Sequence, residues 1–287
     1  MPLVSVILPN YNYSQYLKQR IDSILNQTIQ DIEVIMLDDC STDNSLNIME
    51  QYQKQDARIV AVVRNQTNSG SPFQQWSKGI KMAKGKYIWI AEADDYADRT
   101  FLETIIEVFS KNKNIVLAKS SSHMVDETGT LLNKDYDHWK SRGLKPDSVC
   151  LYDQKQFAKM QYMRNHIYNA SCVVFRRDAI KDTFFNDLSY HFSGDWLFWT
   201  HIGTEGLTAE VNKRLNYFRF HESSTTHTGA YKAFLEDIEI LSIMQKEFDT
   251  NFFQNLWRKH KLFRRLKRMG FDAIQIQTIK GKIKENL

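Results

Sequence analysis

Carboxylates that follow short apolar runs are the residues of this chain with the clearest chemical potential. Asp38-Asp39 closes the run at residues 32–37, and Glu92-Ala93-Asp94-Asp95 closes the run at 87–91. A third polar cluster, Pro9-Asn10-Tyr11-Asn12, follows residues 3–8. Acids packed together repel one another and do not all ionise unless a cation joins them. Hard oxygen ligands suit Mg²⁺ or Mn²⁺, and magnesium in particular takes one or two carboxylates together with substrate phosphates. A diphosphate leaving group meets that requirement, because a cation bridging its oxygens stabilises the charge that develops as the bond breaks.

Such clusters need elements behind them. Residues 3–8 are apolar and β-branched and end at Pro9-Asn10, which predicts a buried strand. Ser14 is placed to cap a helix running to about residue 27, with Tyr16, Leu17, Ile21, Ile24 and Leu25 on one face. Further strands at 32–37, 58–63 and 87–91 alternate with two helices. One is capped by Ser41-Thr42-Asp43 and runs to about 55. The other opens at Ser71-Pro72 and runs to Ala83, with Gly85 as its stop. This alternation predicts a parallel sheet with helices on its faces, and in such sheets ligands bind beyond the carboxyl ends of the strands. The three polar clusters should therefore converge on one crevice. Downstream the pattern is less regular. It predicts a helix at 101–109, a strand at 115–119, a loop or hairpin over 126–150, strands at 172–175 and 215–220, a helix at 195–201, and helix from about 231 to the end.

Composition narrows the class. The 287 residues are 42% apolar and 25% charged, which suits a globular protein with room for one large α/β domain and a small extension. Cys40, Cys150 and Cys172 are scattered, so they form neither a disulfide framework nor a CxxC zinc pair, and reduced thiols in a cytoplasmic protein are expected. The start lacks a basic region ahead of its apolar stretch, unlike a signal peptide, and no window approaches the roughly 18 apolar residues of a membrane span. There is no GxGxxG and no GxSxG. Gly79 to Gly85-Lys86 misses a P-loop, because five residues intervene and Tyr87 stands where Ser or Thr would bind magnesium.

Taken in order, Val4-Ser5-Val6-Ile7-Leu8-Pro9-Asn10-Tyr11-Asn12, Asp38-Asp39-Cys40-Ser41-Thr42-Asp43 and Lys84-Gly85-Lys86-Tyr87-Ile88-Trp89-Ile90-Ala91-Glu92-Ala93-Asp94-Asp95 resemble the family 2 glycosyltransferases of the GT-A fold. The resemblance is strong over residues 3–110 and patchy to about 225. It implies a Rossmann-like, mainly parallel sheet with flanking helices over residues 1–225. Residues 1–110 would be the nucleotide-sugar half and 111–225 the acceptor half, with a helical basic extension over 226–287. It implies an inverting, metal-dependent transfer from a nucleotide diphosphate sugar, most often a UDP-sugar, to a glycan, lipid-linked or protein-linked acceptor in bacterial surface polysaccharide or glycoconjugate synthesis.

The same resemblance assigns roles. Pro9, Tyr11 and Asp39 would line the nucleoside pocket, and Asp38 would fix the loop or touch the nucleoside. Glu92 and Asp94 occupy the ends of the Asp-x-Asp motif, with Glu92 where the family usually has Asp. Asp94 would bind Mn²⁺ or Mg²⁺, Glu92 ribose or metal, and Asp95 the donor sugar. Ser193-Gly194-Asp195-Trp196-Leu197-Phe198-Trp199 resembles the later acidic motif, which makes Asp195 the general base, although the family often has a second acid where Gly194 stands. Tyr217-Phe218-Arg219-Phe220-His221 resembles a segment whose His joins the metal or diphosphate. Read without the resemblance, Asp38-Asp39 is a turn, Asp195 a helix-capping acid and His221 a hydrogen-bonded strand-end histidine. Two rival classes are a nucleotide-sugar-binding module that has lost catalysis and a nucleotidyltransferase, whose own signature is absent.

The end of the chain stands apart. Residues 254–287 carry ten Lys and Arg against two acids, a net of +8 that leaves −4 for the rest of a chain whose total is +4. Trp257 to Met269 mixes Leu262, Phe263, Leu266 and Met269 with cations at near-helical spacing. Either a helix lies on an anionic membrane at its inner face, in keeping with the lipid-linked acceptors of the family, or it packs its apolar stripe on the body. No nucleic-acid motif accompanies the charge.

Overall fold

A computed structural model describes residues 1–133, 143–221 and 229–287. The first half is built as the periodicity predicts. Strands β1 (Val4–Asn10), β2 (Ile32–Asp38), β3 (Ile59–Arg64) and β4 (Tyr87–Ile90) alternate with helices α1 (Ser14–Leu25), α2 (Ser45–Gln55) and α3 (Pro72–Met82). The four strands are parallel in the order β3-β2-β1-β4. The chain therefore steps outward from β1 through β2 to β3, then returns to the other side of β1 as β4. That reversal is the topological switch point at which α/β sheets open a binding crevice. Pro9-Asn10-Tyr11 and Glu92-Ala93-Asp94-Asp95 flank it.

Alternation along the strands divides the core. Val4, Val6 and Leu8 of β1 and Trp89 of β4 face Leu17, Ile21 and Ile24 of α1, with Phe101 and Ile105 of α4 (Phe101–Lys111). Ile7, Ile88 and Ile90 face Phe73, Trp76 and Ile80 of α3 on the other side. Because both faces are covered, the strands read as continuous apolar runs.

The second half extends the sheet in mixed sense. It contains β5 (Tyr96–Ala97), β6 (Ile115–Val125), β7 (Val149–Tyr152), β8 (Val173–Arg176) and β9 (Leu207–Arg219). Strand β8 runs antiparallel to both β4 and β6, whereas β6 and β9 are parallel. Strands β6 and β9 are longer than the sequence predicts, because polar residues in them are buried in pairs. Lys119 bonds Glu210 at 2.9 Å inside the sheet, and Tyr152 donates to the same carboxylate at 3.0 Å. Of the predicted 126–150 loop or hairpin, Val125 and Leu131 form a bridge, and residues 134–142 lie outside the described residues. Helix α5 (Gln154–Met163) was not predicted, although Asp153 and Gln156 form a capping box at its start. Ser14, expected to cap α1, is its first residue, and its N–H is taken by Asp43 across the crevice at 2.9 Å.

Helix α6 (Gly194–Gly203) precedes β9, and α7 (Ala230–Glu247), α8 (Phe252–Leu266) and α9 (Ala273–Asn286) close the chain. The predicted boundary near 225 lies outside the described residues. These last helices pack on the body: Leu262, Leu266, Ile279 and Ile283 are buried in one cluster with Trp196, Leu197 and Tyr162. Phe263 and Met269, grouped with Leu262 and Leu266 in the sequence stripe, pack partly against the same cluster. The stripe thus turns inward. Among the described residues no helix is long and apolar enough to cross a membrane. Leu262→Ala should cost about 2–5 kcal/mol of unfolding free energy, read as a lower urea midpoint at unchanged slope.

Candidate active site

The end of β4 sets three carboxylates in a crevice closed by β9. Asp95 is buried; its Oδ2 accepts from Asn169 Nδ2 at 2.8 Å and its Oδ1 from the Arg219 backbone N–H at 3.0 Å. Asp94 Oδ2 lies 3.0 Å from His221 Nε2. Glu92 Oε1 accepts the Trp76 indole N–H at 2.7 Å. Burial, with Asp94 beside it, pushes Glu92 up to about 8, so it keeps its proton at neutral pH. Burial and Asp94 likewise push Asp95 up to about 6. Tyr13 packs edge-on to His221, and burial next to Asp94 and Glu92 raises its phenol well above the usual range.

Two arginines that the sequence reading did not single out organise this charge. Arg219 donates through Nε to the Asp94 carbonyl at 2.7 Å, through Nη1 to the Asp126 and Glu127 carbonyls, and through Nη2 to Gln19. It also stacks on Tyr16, 4.5 Å from the ring centre. Arg20 is fully buried behind the acids, 4.8 Å over the Trp89 ring, and none of its three nitrogens has a hydrogen-bond partner. Burial lowers it to about 10 while Asp95, Glu92 and Asp94 oppose that, so it remains cationic at neutral pH. A helical signal was available, since Arg20 falls on the Tyr16, Leu17, Ile21, Ile24 face of α1. Trp76, the third residue missed, reads from sequence only as an apolar residue of α3.

At the end of β2 both carboxylates bond within the protein. Asp38 is buried, accepting from Asn10 Nδ2 at 3.2 Å and from the Ser41 N–H at 3.0 Å, so it fixes the loop. Asp39 accepts from Asn65 Nδ2, Gln75 Nε2 and both the N–H and the hydroxyl of Ser69, at 2.6 to 3.1 Å. Pro9 is buried and Tyr11 is exposed.

Asp195 lies in the first turn of α6, partly exposed. It is not the cap; that position is Ser193, whose hydroxyl donates to Asp237 at 2.7 Å. Asp195, Phe198 and Trp199 share one helical face. Trp199 lies 5.5 Å from Trp76, ring centre to ring centre, and Trp76 holds Glu92. That face packs its aromatic side chains into the core beside α3, next to the residue that holds Glu92. Burial raises Asp195 to about 7, and Asp237 and Glu236 add to the shift. The missing second acid has a steric cause. A Cβ on Gly194 would run into the Asp187 carbonyl and lie 3.1 Å from Tyr190 and 3.3 Å from Phe73.

A divalent cation could take Asp94 and His221 as its protein ligands. Among the described residues no three metal-binding side chains converge, which leaves the remaining positions to phosphate oxygens and water. The donor set fits a cation delivered with a diphosphate. The Asp39 hub yields a direct test. Asp39→Asn removes acceptor capacity from buried donors, so it should cost about 1–3 kcal/mol and speed hydrogen exchange at the Ser69 N–H.

The profile described as glycosyl transferase family 2 matches residues 5–184. An uncharacterized glycosyltransferase of Haemophilus influenzae is 30% identical over 232 residues, covering 78% of this chain and 68% of that protein. TuaG of Bacillus subtilis, described as a putative teichuronic acid biosynthesis glycosyltransferase, is 35% identical over 133 residues, covering 46% of this chain and 52% of its own. The chain spans 32% to 54% of the length of several other curated relatives it matches. Among solved structures, Staphylococcus aureus TarS 1–349 in complex with UDP aligns with a TM-score of 0.73 at 17% identity, over 99% of this chain and 81% of that one. The same protein with UDP-GlcNAc aligns at 0.72. The fold at that identity is the GT-A fold of a glycosyltransferase, and the extent of the family match makes this chain a member of glycosyl transferase family 2.

Proposed function

We propose that this protein transfers a sugar from a UDP-sugar to a hydroxyl acceptor, with inversion at the anomeric carbon, in bacterial surface polysaccharide or glycoconjugate synthesis. The observation that carries the reading is the pairing of Asp94 with His221 at the switch-point crevice. The UDP and UDP-GlcNAc complexes of TarS support the choice of donor. Pro9 and Tyr11 line the nucleoside side of the crevice, and Asp39 shapes that side by holding the loop at 65–71. Should the base bond to Asp39, it would have to exchange with one of the donors already there. Asp95 faces the donor sugar, and Glu92, tied to Trp76, faces ribose.

Asp94 and His221 would hold Mn²⁺ or Mg²⁺, which when bound neutralises charge on the leaving diphosphate. Asp195 accepts the proton of the acceptor hydroxyl as that oxygen bonds to the anomeric carbon. The anomeric carbon–oxygen bond to the diphosphate breaks on the opposite side, and the nucleoside diphosphate leaves with the electron pair. We place the protein at the inner face of the cytoplasmic membrane, where a lipid-linked acceptor is presented.

Asp94→Asn keeps the size of the side chain and removes its charge. It should abolish most turnover with little change in melting temperature, and donor binding measured by calorimetry should lose its Mn²⁺ dependence. Unchanged turnover at limiting Mn²⁺ would remove Asp94 from the metal site, and UDP-sugar binding without any turnover by the unmodified protein would instead favour a binding module.

Asp195→Asn should slow transfer on the order of a hundred- to ten-thousand-fold while sparing donor affinity. In the unmodified protein the rate should fall as pH drops through about 7, where Asp195 gains its proton. The same shift has a stability sign. An Asp raised above its unfolded value stabilises the fold at acid pH, and this contribution is lost as pH rises through about 7. Asp195→Asn should therefore match or exceed the parent melting temperature at pH 8. A mutant that loses nucleotide binding and keeps its maximal rate would place Asp195 in another role.

A further inference from the structure

With Leu262 and Leu266 turned inward, α8 presents a different surface to solvent. Phe252, Phe253, Leu256 and Trp257 are exposed at its N-terminal end, Phe252 and Phe253 by about three quarters. At helical spacing His260, Arg264, Lys267 and Arg268 continue the same face, all exposed. The outer side of the helix is thus apolar and aromatic in its first turns and cationic in its last.

Between this helix and the end of α5 lies a cavity of about 330 Å³. Its lining includes Arg164, Arg258, Lys261, Arg264, Arg265 and Arg268, together with Trp257. Asp237 pairs with Arg265, and among the described residues no acid lines the cavity. Arg258 is the built part. Its guanidinium is fixed 5.0 Å over the Trp196 ring and donates through Nη1 to the Met163 carbonyl at 3.1 Å. Its Nε is buried with no hydrogen-bond partner, and the cavity that Arg258 helps to line carries further cations. Such an arrangement costs free energy unless an anion completes it. Arginine forks match phosphate oxygens in pairs.

We infer that this cavity binds the phosphate of an anionic phospholipid while Phe252, Phe253 and Leu256 enter the headgroup boundary of the same bilayer. The aromatic face selects a lipid over a soluble phosphate, because exposed phenylalanines beside the cavity gain nothing from a free ion. The charge distribution orients the contact, with a tail of +8 on a body of −4. The inference deepens the membrane placement proposed above and is independent of the transfer chemistry.

The test uses the full chain in co-sedimentation with phosphatidylcholine vesicles, with and without phosphatidylglycerol. Binding should require phosphatidylglycerol and weaken with salt, while an apolar part persists. Phe252→Ser with Phe253→Ser should remove the salt-resistant part. Arg264→Gln with Arg268→Gln, both exposed positions, should weaken binding roughly tenfold or more. Arg264→Lys with Arg268→Lys keeps the charge and should still lose several-fold if the guanidinium forks engage phosphate. Equal, negligible sedimentation with both vesicles would overturn the membrane placement itself. Phosphatidylglycerol-dependent binding untouched by either pair of Arg substitutions would overturn the cavity and leave the placement standing. A melting temperature raised by inorganic phosphate, with vesicles inert, would overturn the lipid assignment in favour of a soluble phosphate. Preference for duplex DNA or RNA over anionic vesicles at physiological salt would overturn it as well.

Discussion

Glu92, Asp94 and Asp95 lie within four residues at the end of a strand buried on both faces, and negative charge held out of water is costly unless something offsets it. The protein offsets it from three directions. Arg20 stands behind the acids as a buried positive charge, kept ionised by their field. Arg219 closes the front, binding the backbone of the acidic loop while its own N–H holds Asp95. The Trp76 indole takes Glu92, which retains its proton. What is left facing the crevice is the Asp94–His221 pair, a small donor set suited to a cation that arrives with phosphate oxygens.

The second half of the sheet exists in this form because of that constraint. Strand β9 must run its full length beside β6 to bring Arg219 and His221 to the end of β4. Its polar residues are tolerated inside because they pair, as Lys119 does with Glu210 and Asn216 with Asn169, whose amide in turn reaches Asp95. Asn169 thereby links the far end of the sheet to the acidic cluster.

The C-terminal helices also hold the loop that leads into α6. Glu236 on α7 accepts the backbone N–H groups of His191, Phe192 and Ser193 at 2.8 to 3.0 Å, and Asp237 takes the Ser193 hydroxyl. Gly229, at a φ of 87°, sits where any Cβ would strike Phe192. These contacts set the loop from which α6 and Asp195 start, and the two acids contribute to the raised pKa of Asp195. Since α7 is held by the cluster containing Leu262, Leu266, Ile279 and Ile283, packing at the end of the chain bears on the geometry of the proposed base.

The strands and helices of the first ninety residues were legible because burial on both faces forces continuous apolar runs, and the turns between them must be polar. The same logic exposed Asp38-Asp39 and the Glu92–Asp95 cluster, since a polar residue at the end of a buried strand has to face a crevice. Sequence could not separate the parts those acids play. Asp38 and Asp39 differ from Asp94 only in which donors the folded chain brings to them, and Asn65, Ser69 and Gln75 reach Asp39 across some thirty residues. Nor could it identify Arg20 as a buried counter-charge, Trp76 as the partner of Glu92, or Gly194 as a position without room for a side chain. For α8 the amphipathic pattern was visible while its direction was not. Periodicity marks a stripe, but the partner surface decides that Leu262 and Leu266 turn inward and that Phe252, Phe253, Leu256 and Trp257 remain outside.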